Sequence, residues 1–189
     1  EPSTLRIGIL KNGDPITSET NANRFYDGRM GEIVIYRSAL NTAQRVIVNS
    51  YLANKYSLST SGTEVRAYAY GAGYANDVVG IGRATASEEH QSAQSSVLGI
   101  GVGSSFGASS FAADDQYIFV GHDGGAQDDF STSSFSEPVN GLTANAARID
   151  RTWRADFAFG TGSGPKSVTI SVPADSLPTA GAGNSYFVI

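Results

Sequence analysis

No cysteine occurs among the 189 residues. That absence removes disulfides, thiolate nucleophiles and every cysteine-ligated zinc or iron–sulfur site at once. Charge is also sparse: 13 Lys and Arg stand against 18 Asp and Glu, 16% of the chain together, for a net charge of -5. The cations are scattered, and their densest group is Arg148, Arg151 and Arg154. Such a distribution offers nothing to neutralise a phosphate backbone and no polybasic patch for an anionic lipid surface, so nucleic-acid binding is not expected. No apolar run approaches the roughly 20 residues that cross a bilayer. Membrane insertion is not expected either. Glu1-Pro2-Ser3-Thr4 is no signal peptide, so any export signal is expected outside this sequence. No fixed period repeats along the chain, which argues against a solenoid or propeller.

What the chain has in abundance is small residues: 22 Gly, 23 Ala and 24 Ser. That usage suits short strands joined by many turns. Leu5-Arg6-Ile7-Gly8-Ile9-Leu10 alternates apolar and polar positions and then turns through Asn12-Gly13-Asp14-Pro15, reading as a strand and a loop. Gly31 to Arg37 reads as a second strand after the turn Tyr26-Asp27-Gly28. The period then changes. Asn41-Thr42-Ala43-Gln44 offers an Asx N-cap with Gln at the third helical position, and Val48, Tyr51, Leu52 and Tyr56 follow at helical spacing. This predicts one helix, packed on the rest through those four residues, with a Ser/Thr-rich linker from Leu58 to Thr63.

From Glu64 onward the periodic segments all read as strands: Val65 to Tyr70, Val78 to Gly82, Val97 to Val102, Tyr117 to Val120, Arg148 to Phe159, Ser167 to Val172 and Tyr186 to Ile189. Turn clusters separate them at the spacing of an antiparallel sandwich. Between Arg148 and Phe159, alternation puts Trp153, Phe157 and Phe159 on one face and most of the charge on the other, so the first face is expected in the core.

Phe25-Tyr26-Asp27-Gly28-Arg29-Met30-Gly31-Glu32-Ile33-Val34-Ile35-Tyr36, then Ala39-Leu40-Asn41 and a helix closing on Tyr51-Leu52-Ala53-Asn54-Lys55-Tyr56, resembles the last strands and terminal helix of a concanavalin A-like (laminin-G-like) jelly roll. The resemblance covers residues 5 to 58, a fraction of such a domain. Asn76-Asp77-Val78-Val79-Gly80-Ile81-Gly82-Arg83, Gln91-Ser92-Ala93-Gln94-Ser95, Phe119-Val120-Gly121-His122-Asp123-Gly124 and Arg148-Ile149-Asp150-Arg151-Thr152-Trp153-Arg154 resemble the β-sandwich that follows these jelly rolls in large bacterial surface adhesins. The expected architecture is all-β: jelly-roll closing strands and one helix over residues 1–61, then an antiparallel β-sandwich over 62–189. The resemblance implies an extracellular, multidomain parent that is structural or ligand-presenting and not an enzyme. Its expected partners are other domains of a larger polypeptide and cell-surface glycans. Two other readings remain open, a carbohydrate-active jelly roll or its accessory domain, and a self-assembling filament or sheath subunit that pairs through Tyr186-Phe187-Val188-Ile189.

Residues that carry chemistry are few. His90 and His122 are the only histidines and lack metal-type spacing, and no Gly-x-Ser-x-Gly elbow presents a nucleophile. Glu32, Glu88, Glu89, Asp114 and Asp115 are the carboxylates to weigh for glycoside hydrolysis, but extended neighbours point to opposite faces and a Glu-x-Asp-x-x-Glu strand is missing. No catalytic residue is therefore assigned. Calcium is the metal to consider, because Asp123, Asp128 and Asp129 share one Gly-containing loop, although a solvated acidic hairpin explains the same residues. Tyr68 and Tyr70 share a strand face and are the candidate sugar-stacking pair, or an ordinary cross-strand cluster. Gly99-Ile100-Gly101-Val102-Gly103 has no helix after it and reads as a strand that another backbone approaches closely, not a dinucleotide loop.

Overall fold

The computed structural model describes residues 28–58, 73–127, 149–159 and 167–179. The chain divides into two compact units, Glu1–Arg37 and Ser38–Ile189. In the first, the described residues 28–37 form no strand, and Met30, Ile33, Val34, Ile35 and Tyr36 are all exposed. The strand expected from Gly31 to Arg37 is therefore not formed: its apolar run has the composition of a strand, but composition alone does not supply the hydrogen-bonded ladder that a strand needs. The strands expected at 5–10, 65–70 and 186–189 lie outside the described residues, as does the division expected at 61/62.

Among the described residues the second unit holds one helix, α1 (Thr42–Lys55), and seven strands: β1 (Asn76–Thr85), β2 (Glu88–His90), β3 (Ser92–Gln94), β4 (Gly99–Val102), β5 (Gln116–His122), β6 (Trp153–Phe159) and β7 (Val168–Ser171). They form two antiparallel sheets, ordered β2-β1-β5-β6 and β3-β4-β7. The all-β sandwich read from the sequence is thus the fold, with α1 on its outside. β2 and β3 are additions, since three polar-rich residues carry no legible alternation.

Alternation explains the layers. Val79 and Ile81 of β1 and Ile118 and Val120 of β5 point inward, where they meet Leu98, Ile100, Val102 and Phe111 in one apolar cluster. The other face of the four-stranded sheet presents Tyr117 and Phe119, covered by Ala43 and Val46 of α1. Every residue of β5 is buried because it is covered on both sides. Each aliphatic so buried stabilises the fold by roughly 1.5–3 kcal/mol relative to exposure. Trp153 packs on the inner cluster as expected. Phe157, opposite Ile118, was expected in the core and instead is 50% exposed, on β6 at the end of the four-stranded order, where one neighbouring strand is described rather than two.

Glycines set how closely the layers approach. In β1 the outward positions are Gly80 and Gly82, paired with Phe119 and Tyr117 across the ladder. Those two rings stack at 6.4 Å and lie over the glycines, and a Cβ on Gly80 would sit 2.8 Å from Ile47 Cγ2 and 2.9 Å from the Phe119 ring. In β4, Ile100 and Val102 face the core, while a Cβ on Gly101 would sit 2.5 Å from the backbone nitrogen of Gly107. The loop after β4 folds back across the sheet there. The close backbone approach expected at Gly99–Gly103 is what the structure contains.

α1 begins as its sequence indicates. Asn41 Oδ1 accepts from the Gln44 amide at 2.8 Å, and the Asn41 amide donates to Gln44 Oε1 at 3.1 Å, a reciprocal capping box. At the other end, Leu58 N–H donates to Ala53 O and Ser57 N–H to Asn54 O, with Ser57 at φ 51° in the left-handed region. The buried stripe is Ala43, Val46, Ser50 and Ala53, not the expected Val48, Tyr51, Leu52 and Tyr56. Small side chains are selected there because α1 sits directly over Gly80, whose missing side chain admits Ile47.

Gly101→Ala is expected to cost about 1–3 kcal/mol in urea unfolding, since backbone cannot swing away as a side chain can. Gly73→Ala is the control, because a Cβ there meets nothing within 4 Å. Ser57→Gly is expected to raise stability by about 0.5–1 kcal/mol by relieving a left-handed conformation that costs L-residues energy.

Candidate functional site

Among the described residues, polar side chains of the second unit gather in three places. The first joins the helix to the β1–β2 hairpin. α1 has no acid in its first turn, and Glu88 of β2 supplies one from across the fold: its Oε1 accepts from the Thr42 amide at 3.1 Å and the Thr42 hydroxyl at 2.9 Å. Asn41 Nδ2 donates to the Glu89 carbonyl at 3.1 Å. The Thr42 amide and then its hydroxyl hold the Glu88 carboxyl below its usual range, where a carboxylate at a helix N-terminus belongs.

The second cluster surrounds a depression lined by Ala86, Ser87, Glu89, His90, Gln91, Ser92 and Ser110. Behind it stands Arg83, whose Nε donates to Asp114 Oδ1 at 2.8 Å and whose Nη1 donates to Glu89 Oε1 at 3.1 Å and to the Phe111 carbonyl at 3.0 Å. The hydrogen bond to Asp114 is the largest influence raising the Arg83 pKa further. Gln91 Nε2 donates to Glu89 Oε2 at 2.7 Å and to Ser110 Oγ at 3.1 Å. Arg83 and Gln91 thereby fasten the β4–β5 loop to the β1–β2 hairpin. Burial pushes the His90 pKa down, so its ring is neutral at neutral pH.

The third cluster closes the far end of β5. His122 is buried, its Nδ1 accepts from the Gly124 amide at 2.9 Å, and that bond assigns the proton to Nε2, which lies 2.9 Å from Asp77 Oδ2. Asn76 Nδ2 donates to the His122 carbonyl at 3.0 Å. Both ring nitrogens are thus engaged, by an amide and a carboxylate, and neither meets a hydroxyl. Asp123 Oδ1 accepts from the Gly125 and Thr152 amides at 3.0 and 3.1 Å. Burial acts to raise the Asp123 pKa, but these amide bonds together outweigh it and hold the carboxyl below its usual range. Arg151 donates to Gly125 O and to Gln127 Oε1, both at 2.7 Å, and buried Gln127 donates to Val97 O at 3.2 Å and Ser176 Oγ at 2.5 Å. Two sheets and the short 3₁₀ turn at Ala174–Ser176 are tied together there.

Of the residues singled out from the sequence, Asp123 is an exposed loop residue that caps backbone amides, while Asp128, Asp129, Tyr68 and Tyr70 lie outside the described residues. Among the described residues no group of three or more His, Asp or Glu side chains is placed to hold a metal ion. The carboxylates weighed for hydrolysis are dispersed over different tasks: Glu88 caps α1, and the Arg83 guanidinium stands between Glu89 and Asp114. Sequence reading missed Arg83, Gln91, Gln127 and Arg151. Their partners lie up to 49 positions away, and local pattern carries no signal for that. No helix among the described residues is long and apolar enough to cross a membrane.

A family model described as Domain of unknown function (DUF8202) matches residues 44–189, and the chain belongs to that family. No curated protein and no solved structure matches the chain.

The Glu88 contact has a signed pH dependence. A carboxyl with a lowered folded pKa contributes stability that is fully present above the unfolded value and is lost as pH falls through the folded one. Glu88→Gln is therefore expected to lower the melting temperature at neutral pH and to leave a shallower fall in stability on acidification, measured by calorimetry across the acid range.

Proposed function

We propose that this member of the family is a non-catalytic structural or ligand-presenting segment of a secreted bacterial cell-surface adhesin. The observation that carries the reading is the use of its polar side chains. Arg83, Glu88, His122, Asp123, Gln127 and Arg151 each bridge separate elements of the second unit. Enzyme sites instead keep a nucleophile, acid or base free to face a substrate. Support also comes from the resemblance of residues 5–58 to the end of a concanavalin A-like jelly roll and of 64–189 to the sandwich that follows it in adhesins.

A cysteine-free, cross-braced sandwich suits a displayed spacer, since it holds its shape without depending on the redox state of its surroundings. Such a module orients neighbouring domains of one polypeptide or offers a surface to glycans. Labelling intact cells that make the natural protein with a membrane-impermeant amine-reactive biotin tests this. Biotin on Lys55, which is exposed, is the expected result, and recovery of label only after lysis overturns the reading.

A further inference from the structure

We propose that the depression beside β2 binds a neutral, polyhydroxylated ligand of the saccharide class. The proposal deepens the ligand-presenting half of the function above and rests on that half alone. The depression is open and 490 Å³ in volume, within the range of roughly 300–1,000 Å³ usual for small-ligand sites. Arg83, Glu88, His122, Asp123, Gln127 and Arg151 spend their donors and acceptors in bridging elements. Here several are left over, and they face one space.

Gln91 spends both amide hydrogens, on Glu89 Oε2 and Ser110 Oγ, so its carbonyl oxygen remains an acceptor. Ser110 Oγ accepts that bond and keeps its own hydrogen to donate. The Ser92 hydroxyl and the His90 ring line the same depression and take no hydrogen bond from any described side chain or backbone group. A neutral imidazole adds one donor and one acceptor, as burial keeps His90 uncharged. Arg83 holds the loop that carries Ser110 through the Phe111 carbonyl, so the spacing of these groups is set in advance.

The same contacts exclude other ligand classes. Glu89 is the one carboxylate in the lining, its side chain is 10% exposed, and Arg83 and Gln91 occupy its two oxygens. Arg83 is committed to Glu89 and Asp114, which leaves the lining without a cation for phosphate or carboxylate. Ala86 is the one aliphatic side chain of the lining, too little for a lipid or an aromatic ring. Vicinal hydroxyls, each both donor and acceptor, match what remains.

Titration of the labelled protein by ¹H–¹⁵N correlation NMR tests the assignment. The probes are glucose, galactose, mannose and N-acetylglucosamine at tens of millimolar, with glucuronate and inorganic phosphate as anionic comparators. At least one neutral sugar is expected to shift the amides of Ser87–Ser92 and Ser110 in a saturable manner, and phosphate is expected to leave them in place. Ser92→Ala and Ser110→Ala together, with unchanged spectra elsewhere, are expected to weaken that sugar by about five-fold or more, the loss of two neutral hydrogen bonds. Silence with every neutral sugar overturns the proposal, as does a stronger response to phosphate or an unaltered affinity in the double variant. A domain displayed on cells but silent in titration would lose the depression and keep the structural role. Sugar binding by a protein confined inside cells would do the reverse.

Discussion

Everything in the second unit depends on how closely its layers can approach, and that distance is set by side chains that are missing. β1 and β4 carry aliphatic groups on one face and glycine on the other, so each contributes fully to the inner core while its outer face lies almost flat. Across β1 the flat face receives the stacked rings of Tyr117 and Phe119 and then the small-residue stripe of α1. Across β4 it receives the backbone of the β4–β5 loop at Gly107. Interiors are close-packed solids, so a single methyl group at these points is a large perturbation. Glycine in a strand costs backbone entropy and supplies no packing of its own, and here that cost is offset by what can then lie on top.

The polar cross-links are the second consequence of this layering. Elements that approach so closely bring loops from opposite sheets to the same end of the molecule, where Arg151 and Gln127 join them. Buried Gln127 has its carbonyl and amide both satisfied, as a buried amide must. The depression beside β2 departs from this pattern. It is framed by the same kind of bridge, Arg83 to Glu89 and Asp114, yet it retains hydrogen-bonding groups that the protein does not consume.

Local pattern carried much of the fold. The capping box at Asn41 and Gln44, the alternation in β1, β4 and β5 and the close approach at Gly101 were legible because each rests on neighbours within a few positions. The buried face of α1 was not legible, since the large apolar stripe at Val48, Tyr51, Leu52 and Tyr56 outweighs Ala43, Val46, Ser50 and Ala53 in any hydrophobic reading. Only the presence of Gly80 on the facing strand selects the smaller stripe. The Gly31–Arg37 segment shows the converse: strong strand composition does not make a strand without a partner ladder. Of the candidate site, His90 and the serines are visible as letters, but the Arg83 and Gln91 contacts that frame them depend on the β1–β2 hairpin and the β4–β5 loop meeting in space.

The acid at the head of α1 has a consequence for the order of folding. A 14-residue helix with no acid in its first turn is marginal by itself. Its missing charge arrives only when Glu88, 46 positions along the chain, is brought beside Thr42. Closing that loop carries an entropic cost before any contact repays it. The charge at the helix N-terminus is therefore complete only once the β1–β2 hairpin stands beside it.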